Sequence, residues 1–207
     1  MFIDTARMID DSLPSLELTF LLGGARAGKS ARAVSIAQQH GNGGVLYVAT
    51  AEGLDDEMRS RIAAHRAERP GDWETLESPR DLSGDIDRLL VAHRDRFSVV
   101  IIDCLTLWVS NVLLTLDETD DAETILAEQT TILIDTMRRH SPRPVGSDVS
   151  ARWWIVVSNE VGLGIVPSTP LGRRYRDALG RVNRIVAGAA SEATLMVAGL
   201  DLPLKRR

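Results

Sequence analysis

Short β-branched apolar runs alternate along the chain with longer segments in which apolar residues recur every three or four positions. The short runs predict strands and the periodic segments predict helices, and their alternation indicates βαβ units with a mainly parallel sheet. The predicted strands span residues 18–22, 45–49, 97–102, 153–158 and 193–198. The predicted helices span residues 28–39, 54–68, 81–93, 104–114, 123–139 and 171–190. The run at 97–102 is continuously apolar, which is typical of a central strand buried on both faces.

Turn residues separate these elements without marking a boundary between two domains. Residues 41–44 and 141–147 are rich in glycine, proline and serine and predict loops. A chain of 207 residues is suited to one hydrophobic core. We therefore expect residues 17–207 to form a single α/β domain with helices flanking the sheet, preceded by an N-terminal extension over residues 1–16 that could be flexible.

Charge and composition narrow the function classes. The chain has 29 acidic and 24 basic residues and a formal charge of -5, so it lacks the positive field that holds a nucleic acid. Its apolar runs are far shorter than the roughly 20 residues of a membrane span, and its acidic start is not a secretory signal. We expect a soluble, cytoplasmic protein. Cys104, the single cysteine, suits a reducing compartment, and its apolar neighbours favour a buried core residue over a nucleophile.

Residues 23–30, Gly-Gly-Ala-Arg-Ala-Gly-Lys-Ser, match the phosphate-binding pattern G-x-x-x-x-G-K-[ST] between a predicted strand and a predicted helix. In this pattern, backbone N–H groups and the positive helix N-terminus bind phosphates. Lys29 should reach the terminal phosphates, and Ser30 should help to hold Mg²⁺ against them. Asp103, at the end of the best strand, is the expected acidic partner of this metal. A helix N-cap is the alternative role for Asp103, and both roles could hold together.

A polar stripe follows the second predicted strand. Glu57, Arg61, His65 and Arg69 recur at intervals of four, so they would share one face of a helix. Spacing alone favours a solvated, salt-bridging face. The helix nevertheless leaves a strand end beside the phosphate loop, where α/β sheets bind ligands. A histidine among arginines at that edge could attack phosphorus and carry a phosphoryl or nucleotidyl group covalently.

Taken together, the motifs resemble one family, the bifunctional adenosylcobinamide kinase and adenosylcobinamide-phosphate guanylyltransferase of cobalamin biosynthesis. The resemblance runs from about residue 18 to residue 204. The segments that carry it are the phosphate loop (23–30), Tyr-Val-Ala-Thr (47–50), Asp-Asp-Glu-Met (55–58), Arg-Ile-Ala-Ala-His-Arg (61–66), Arg-Pro (69–70), Trp73, Thr-Leu-Glu (75–77), the segments 103–111 and 158–167, and Arg-Val-Asn (181–183).

The resemblance implies a P-loop NTPase fold of the RecA-like kind and two activities in one polypeptide. The enzyme would phosphorylate adenosylcobinamide with ATP or GTP, and would then transfer GMP from GTP to adenosylcobinamide phosphate through a guanylyl-histidine at His65. Lys29 would be the second catalytic residue. A homo-oligomer, in the form of a ring-like trimer, is also implied. The implied nucleotide-binding residues are Gly23, Gly24, Ala25, Arg26, Ala27, Gly28, Lys29, Ser30, Thr50, Ala51, Glu52, Arg66, Ala67, Glu68, Arg69, Glu77 and Asp103.

Ala27 departs from the family pattern, which has a serine there; this should tune phosphate binding without abolishing it, because backbone N–H groups do most of that work. At the end of the fourth predicted strand, Asn159 or Glu160 could orient the corrinoid hydroxyl or the metal, and the alternative is a turn-forming role. Mg²⁺ held mostly through phosphates is the metal that we expect. The competing functions are guanylyl transfer without the kinase step, and a nucleotide-gated binding or assembly module.

Overall fold

The structure is a computed structural model that describes residues 16–40, 44–53, 55–67, 69–141 and 151–206, with the side chains at positions 57 and 61 left out of the description. Most of the predicted N-terminal extension therefore lies outside the described residues. Leu16, its last residue, is buried in the hydrophobic core with 8% of its surface exposed. The core thus includes the last residue of the segment that was predicted as an extension.

Thirteen elements make up the described part of the chain. The strands are β1 (Leu18–Gly23), β2 (Val45–Ala49), β3 (Glu74–Glu77), β4 (Val99–Asp103), β5 (Trp153–Val157), β6 (Glu192–Val197) and β7 (Leu200–Lys205). The helices are α1 (Lys29–His40), α2 (Asp56–Ala67), α3 (Leu82–Ala92), α4 (Leu105–Leu113), α5 (Ala122–Arg139) and α6 (Pro170–Ala189). Every strand and helix predicted from the pattern is present, with its ends within about two residues of the expected positions.

The strands form one sheet in the order β3-β2-β4-β5-β1-β6-β7. All neighbouring strands are parallel except β6 and β7, which are antiparallel. The prediction of a mainly parallel sheet is confirmed, but the pattern missed the two edge strands. β3 has only four residues, and β7 contains Pro203, a residue that weakens the case for a strand. Both lie at an edge of the sheet, where one side of the strand needs no hydrogen-bonding partner.

Hydrophobic side chains cover both faces of this sheet, as the continuous apolar run in β4 predicts. Successive residues of a strand point to opposite faces. Accordingly, Phe20 belongs to the larger core cluster, which packs against α3, α4, α5 and α6. Leu21 belongs to the smaller cluster, which packs against α1. Because these parallel strands run in one direction, the carboxyl ends of β1, β2, β3, β4 and β5 lie at the same edge of the sheet.

No helix in the described ranges is both long and apolar enough to cross a membrane.

A carboxylate on α3 connects this helix to the C-terminal end of α5. The Asp87 Oδ1 atom accepts a hydrogen bond from Arg139 Nη1 at 2.6 Å and lies 2.8 Å from His140 Nε2. The His140 side chain is only 8% exposed, so its contact with Asp87 is largely shielded from solvent. The hydrogen bond with His140 and the charge of Arg139 hold the pKa of Asp87 below its ordinary value of 3.8.

We expect this contact to make the stability of the chain depend on pH under acidic conditions. A carboxyl whose pKa is lower in the folded chain stabilises it above the pKa of the unfolded chain, and this contribution disappears as the pH falls through the folded value. The difference in unfolding free energy between the wild-type chain and Asp87→Asn should therefore be constant above about pH 5 and shrink in stronger acid. Urea unfolding at a series of pH values measures it. Asp135→Asn on α5 is the control, and an equal pH dependence in both variants would contradict the prediction.

Candidate functional site

The phosphate loop connects the end of β1 to the first turn of α1. Gly23 is required by close approach, since a Cβ atom there would lie 2.4 Å from the carbonyl oxygen of Met196 in β6. Gly28 has a φ of 93°, in the region that favours glycine. Gly24, Ala25, Arg26 and Gly28 are exposed, whereas Ala27 is buried. The loop is therefore anchored at its start by β6 and presents most of its backbone to solvent at the sheet edge.

Lys29 folds back over the loop that precedes it. Its Nζ atom donates hydrogen bonds to the carbonyl oxygens of Gly23 at 3.1 Å and Gly24 at 2.6 Å. Lys29 is 7% exposed, and this burial lowers the pKa of its ammonium group, while the charges of Cys104 and Asp103 oppose the shift. The ammonium group thus lies against the loop and within the electrostatic field of Asp103, as a phosphate-binding lysine should.

Asp103, the last residue of β4, is held by a phenol from the neighbouring strand. The Tyr47 hydroxyl donates a hydrogen bond to Asp103 Oδ2 at 2.5 Å. Burial, together with the Asp103 carboxylate, raises the pKa of the Tyr47 phenol, so the phenol stays protonated and remains a donor. The residue at the N-cap of α4 is Cys104, not Asp103, so the alternative helix-cap role of Asp103 is wrong. The carboxylate is left for the site.

Arg69 lies over the face of the Tyr47 ring. The centre of its guanidinium group is 3.4 Å from the centroid of the Tyr47 ring, an arrangement that stabilises the cation. Its Nε atom is buried and has no hydrogen-bond partner among the described residues. A buried donor without a partner costs about 1–3 kcal/mol, which a bound anion would recover. Arg69 is thus placed to meet an acceptor group on a ligand.

A cavity of about 610 Å³ brings these side chains together. Its volume is that of an ordinary small-ligand pocket, about 300–1,000 Å³. The lining residues are Ser30, Tyr47, Ala49, Ala51, Gly53, Met58, Arg59, Ile62, Ala63, His65, Arg66, Arg69, Glu77, Asp103, Cys104, Thr106, Leu107 and Asn159. A smaller adjoining recess of about 230 Å³ is lined by Ser30, Ala31, Val34, Tyr47, His65 and Arg69. His65 therefore lines both the cavity and the recess together with Ser30, the last residue of the phosphate loop.

Helix α2 carries His65 but does not carry the whole predicted stripe. The helix ends at Ala67, so Arg69 is not on it, and the stripe of four residues at helical spacing is wrong in its last member. The side chains of Glu57 and Arg61 lie outside the description. His65 is exposed and lies in the last turn, with Arg66 beside it at the same cavity. The cavity position, more than the stripe, distinguishes His65 from a residue of a solvated face.

The structure separates the predicted nucleotide-binding residues into two groups. Those that line the cavity are Ser30, Ala51, Arg66, Arg69, Glu77 and Asp103, while Gly23, Gly24, Ala25, Arg26, Ala27, Gly28 and Lys29 form the loop that leads into Ser30. Those that do not line it are Thr50, Glu52 and Ala67, and Glu68 lies outside the described residues.

Thr50 and Glu52 have protein partners. The Thr50 hydroxyl donates to the Cys104 carbonyl oxygen at 2.7 Å and accepts from the Cys104 N–H at 2.8 Å, next to the cis peptide bond between Asp103 and Cys104. The Glu52 carboxylate accepts from Arg80 at 2.8 Å. Thr50 thereby joins the end of β2 to the start of α4.

Cys104 is half-buried, packs against the smaller core cluster and also lines the cavity, so the expectation of a buried core residue is confirmed only in part. The pattern of apolar neighbours led to that expectation, because it does not show that the chain leaves the sheet at this residue. Burial raises the pKa of the Cys104 thiol to about 11. The thiol is therefore protonated at neutral pH and is a weak nucleophile.

After β5, two polar residues have different roles. Asn159 lines the cavity, whereas the Glu160 carboxylate accepts a hydrogen bond at 2.5 Å from the N–H of Gly162 and closes a turn. The Glu160 N–H donates to the carbonyl oxygen of Gly23 at 3.2 Å. The turn-forming alternative thus applies to Glu160, and the segment after β5 is attached directly to the phosphate loop.

Tyr47 is a candidate site residue whose contact with Asp103 the sequence reasoning missed. Its signal was present: a tyrosine within an otherwise aliphatic strand, whose hydroxyl needs a partner when it is buried. Only the pairing of β2 with β4 identifies that partner, because the two strands are joined side by side with Ala49 next to Asp103.

Comparison with known proteins identifies the family. A family model described as cobinamide kinase / cobinamide phosphate guanyltransferase, CobU, matches residues 19–204. The chain belongs to this family. It is therefore an enzyme with both activities of the CobU family, and the interpretations as a guanylyltransferase alone or as an assembly module are not needed.

Curated relatives of the CobU family agree. The bifunctional adenosylcobalamin biosynthesis protein CobP of Pseudomonas aeruginosa is 40% identical over 89% of this chain and 95% of the relative. The proteins named CobU from Salmonella typhimurium and Escherichia coli are 36% and 37% identical, each over 91% of this chain and 99% of the relative. The family that the motifs resemble is thus confirmed.

Among solved structures, the flagellar accessory protein FlaH from Methanocaldococcus jannaschii superimposes with a TM-score of 0.50 at 14% identity, covering 94% of this chain and 80% of FlaH. This likeness concerns the fold alone. It agrees with the predicted α/β architecture, a mainly parallel sheet flanked by helices.

Proposed function

We propose that the cavity at the sheet edge carries out both transfers, with the phosphate loop holding the nucleoside triphosphate and His65 carrying GMP. The observation that supports this most directly is that Ser30, at the end of the phosphate loop, and His65 line the same cavity with Asp103. Arg66 and Arg69 contribute positive charge beside His65, and Met58 and Ile62 offer an apolar wall for a planar base. One pocket thus combines phosphate, nucleophile and base contacts.

In the kinase step, the hydroxyl of adenosylcobinamide attacks the terminal phosphorus of a nucleoside triphosphate, and the nucleoside diphosphate leaves. Lys29 offsets the negative charge that develops on the transferred group. In the second step, a nitrogen of neutral His65 attacks the α-phosphorus of GTP and pyrophosphate leaves. A phosphate oxygen of adenosylcobinamide phosphate then attacks the same phosphorus. The bond to His65 breaks, which gives adenosylcobinamide-GDP and restores the imidazole.

The residues at this edge fit a Mg²⁺ ion that is bound together with the nucleotide. Ser30 and Asp103 supply the oxygen atoms that Mg²⁺ prefers, and phosphate oxygens and water would complete its coordination. Within the described ranges, no group of three or more His, Cys, Asp or Glu side chains could hold a metal ion on its own. When bound, Mg²⁺ offsets the charge of the phosphates and fixes their orientation.

Product analysis tests the complete function. With adenosylcobinamide, GTP and Mg²⁺, the chain should release both nucleoside diphosphate and pyrophosphate, with adenosylcobinamide phosphate formed before adenosylcobinamide-GDP, the final product. Repeating the reaction with ATP in place of GTP identifies the donor of the kinase step. Formation of adenosylcobinamide phosphate alone would contradict the second transfer at this site.

Removing the Tyr47 hydroxyl should weaken metal-dependent nucleotide binding. Tyr47→Phe keeps the ring beneath Arg69 but removes the hydrogen bond that orients the Asp103 carboxylate. A hydrogen bond to a charged group contributes about 1.5–3 kcal/mol, so we expect nucleotide affinity in the presence of Mg²⁺ to fall about tenfold or more. Calorimetric titration measures it. Titration without Mg²⁺ is the control and should give nearly equal affinities for the two chains.

The chain self-associates through the sheet edge that ends in β7. Leu200, Leu202 and Leu204 of β7 have exposed fractions of 54–73%, as does Val197 at the end of β6, and no strand of the described ranges pairs with the outer edge of β7. Exposed apolar edge strands favour pairing with another chain. Sedimentation equilibrium should give the mass of an oligomer, three copies if the ring-like trimer holds. Leu202→Asp should lower that mass, while Leu114→Asp, at an exposed leucine after α4, should leave it unchanged.

The cytoplasmic location stays a prediction.

A further inference from the structure

We propose that the loop from residue 161 to residue 167, the apolar loop, binds the corrin macrocycle of the cobinamide substrate beside the catalytic cavity. The inference rests on the proposed function and assigns the part of the substrate that the cavity itself does not hold. Three properties of the loop support it: its position, its anchoring and its exposed side chains. The size of the neighbouring cavity is the fourth argument.

The apolar loop begins at the phosphate loop. Asn159 lines the catalytic cavity, and the N–H of Glu160 donates to the carbonyl oxygen of Gly23, the first residue of the phosphate loop. The Lys29 ammonium donates to the same oxygen. The chain therefore passes from the reacting centre into the apolar loop within a few residues. A molecule with one end in the cavity would lie next to this loop.

The beginning of the loop is held by a buried polar network. The Asn159 N–H donates to Thr106 Oγ1 at 2.7 Å, and its carbonyl oxygen accepts from Asn183 of α6 at 3.0 Å. Asn183 in turn accepts from the Ser158 hydroxyl at 2.7 Å. Asn183 and Ser158 are buried, and such fully bonded networks favour one conformation.

The end of the loop is held as firmly by the first turn of α6. The Arg173 Nη1 atom donates to the carbonyl oxygens of Pro167 and Ser168, each at 2.9 Å. The Thr169 hydroxyl caps the helix by accepting from the N–H of Gly172 at 3.1 Å. The loop is therefore anchored on both sides. Because it is already ordered, a ligand that binds to it incurs a smaller entropic cost.

Between these anchors, large apolar side chains face solvent. Leu163 is 85% exposed, Ile165 is 97% exposed and Val166 is 60% exposed. Val161, at the start of the loop, packs against the core instead. Single exposed apolar residues are common on protein surfaces, but three within four positions on an anchored loop indicate a binding surface.

The chemistry of the reaction indicates what this surface binds. The reacting hydroxyl or phosphate must enter a cavity of about 610 Å³ that also receives a nucleotide. A nucleotide occupies much of a pocket of this size, so we place the macrocycle at the mouth of the cavity with its side arm directed inward. The methyl groups and ring methylenes of a corrin are apolar, so they match the exposed side chains of Leu163 and Ile165.

The test is a double variant, Leu163→Ser with Ile165→Ser, compared with Leu114→Ser. Both changed side chains are exposed, as is Leu114 at 64%, so folding should be preserved in each. We expect the double variant to raise the KM for cobinamide in the kinase reaction by about tenfold or more, because it removes two apolar contacts. The kcat at saturating cobinamide and the guanylylation of His65 by GTP alone should not change. Leu114→Ser should leave every value unchanged.

Two results would overturn the proposal. An unchanged KM for cobinamide in the double variant would show that the macrocycle binds elsewhere. A decrease in the sedimentation mass of the double variant would show that a second copy of the chain covers the loop. Guanylylation by GTP needs no corrinoid. Its absence in the wild-type chain would therefore contradict the proposed function, whereas the KM for cobinamide in the kinase reaction would still test the loop.

Discussion

Incubating His65→Ala with GTP should leave its intact mass unchanged, whereas the wild-type chain should gain the mass of one GMP. The reason is chemical: in the proposed mechanism the imidazole forms the bond to the α-phosphorus, and no other group in the described part of the cavity is a comparable nucleophile at neutral pH. The other candidate nucleophile is the Cys104 thiol, but burial raises its pKa to about 11, so it is protonated at neutral pH. Removal of a nucleophile costs several orders of magnitude, so guanylyl transfer should fall by about 10³-fold or more.

The kinase activity of His65→Ala serves as an internal control. His65 is not needed when the substrate hydroxyl attacks the terminal phosphate, so this activity should remain within a few-fold of the wild-type value. His93→Ala is the matched variant, because His93 is exposed and caps α3 through its backbone N–H and not through its ring. A GMP adduct that persists in His65→Ala, or one that disappears in His93→Ala, would reject the assignment of His65.

Lys29→Ala should reduce the kcat of the kinase step by about 10²–10³-fold. Removing one preorganised donor that meets developing charge has an effect of this size in other enzymes. The ammonium group of Lys29 is buried against the phosphate loop, so little solvent screens its charge. Steady-state kinetics with cobinamide and a nucleoside triphosphate measures the change.

Two comparisons separate the charge of Lys29 from its contacts with the loop. Lys205 is the only other lysine of the chain, is exposed, and contacts carbonyl oxygens at the end of α6, so Lys205→Ala should retain full activity. Lys29→Met preserves the length of the side chain but not its charge, and should be as inactive as Lys29→Ala. Near-normal kinase turnover in either Lys29 variant would remove the phosphate loop from the mechanism.

The interior of the fold followed from the sequence because it depends on local pattern. Continuous apolar runs such as that of β4 are stable only when both faces are buried, and helices follow from apolar residues at helical spacing. The edge strands β3 and β7 did not follow. β3 is short, and β7 contains Pro203, so neither has a strong pattern. Their place is set by the neighbouring strand that each one pairs with.

The candidate site divides in the same way. Gly23 to Ser30, Asp103 and His65 were predicted because their residue types and spacings, together with the family resemblance, carry chemical meaning, and the structure brings Ser30, Asp103 and His65 to one cavity. The arrangement of Arg69 was not predictable. It was expected on the helix with His65, but α2 ends at Ala67, and Arg69 stacks on Tyr47 instead. The interval of four that grouped Arg69 with His65 ran past the predicted helix end at residue 68, and it could not show the contact of Arg69 with Tyr47.

The sequence by itself determined the phosphate loop, the parallel sheet and the family, because these reside in contiguous segments and in the order of elements. Only the tertiary structure decided which side chains meet. It placed the Tyr47 hydroxyl on Asp103, assigned Thr50 to the junction with α4 and not to the cavity, and joined Glu160 to Gly23. These contacts link residues that are far apart in the chain, and they arise because the ends of parallel strands converge at one edge of the sheet.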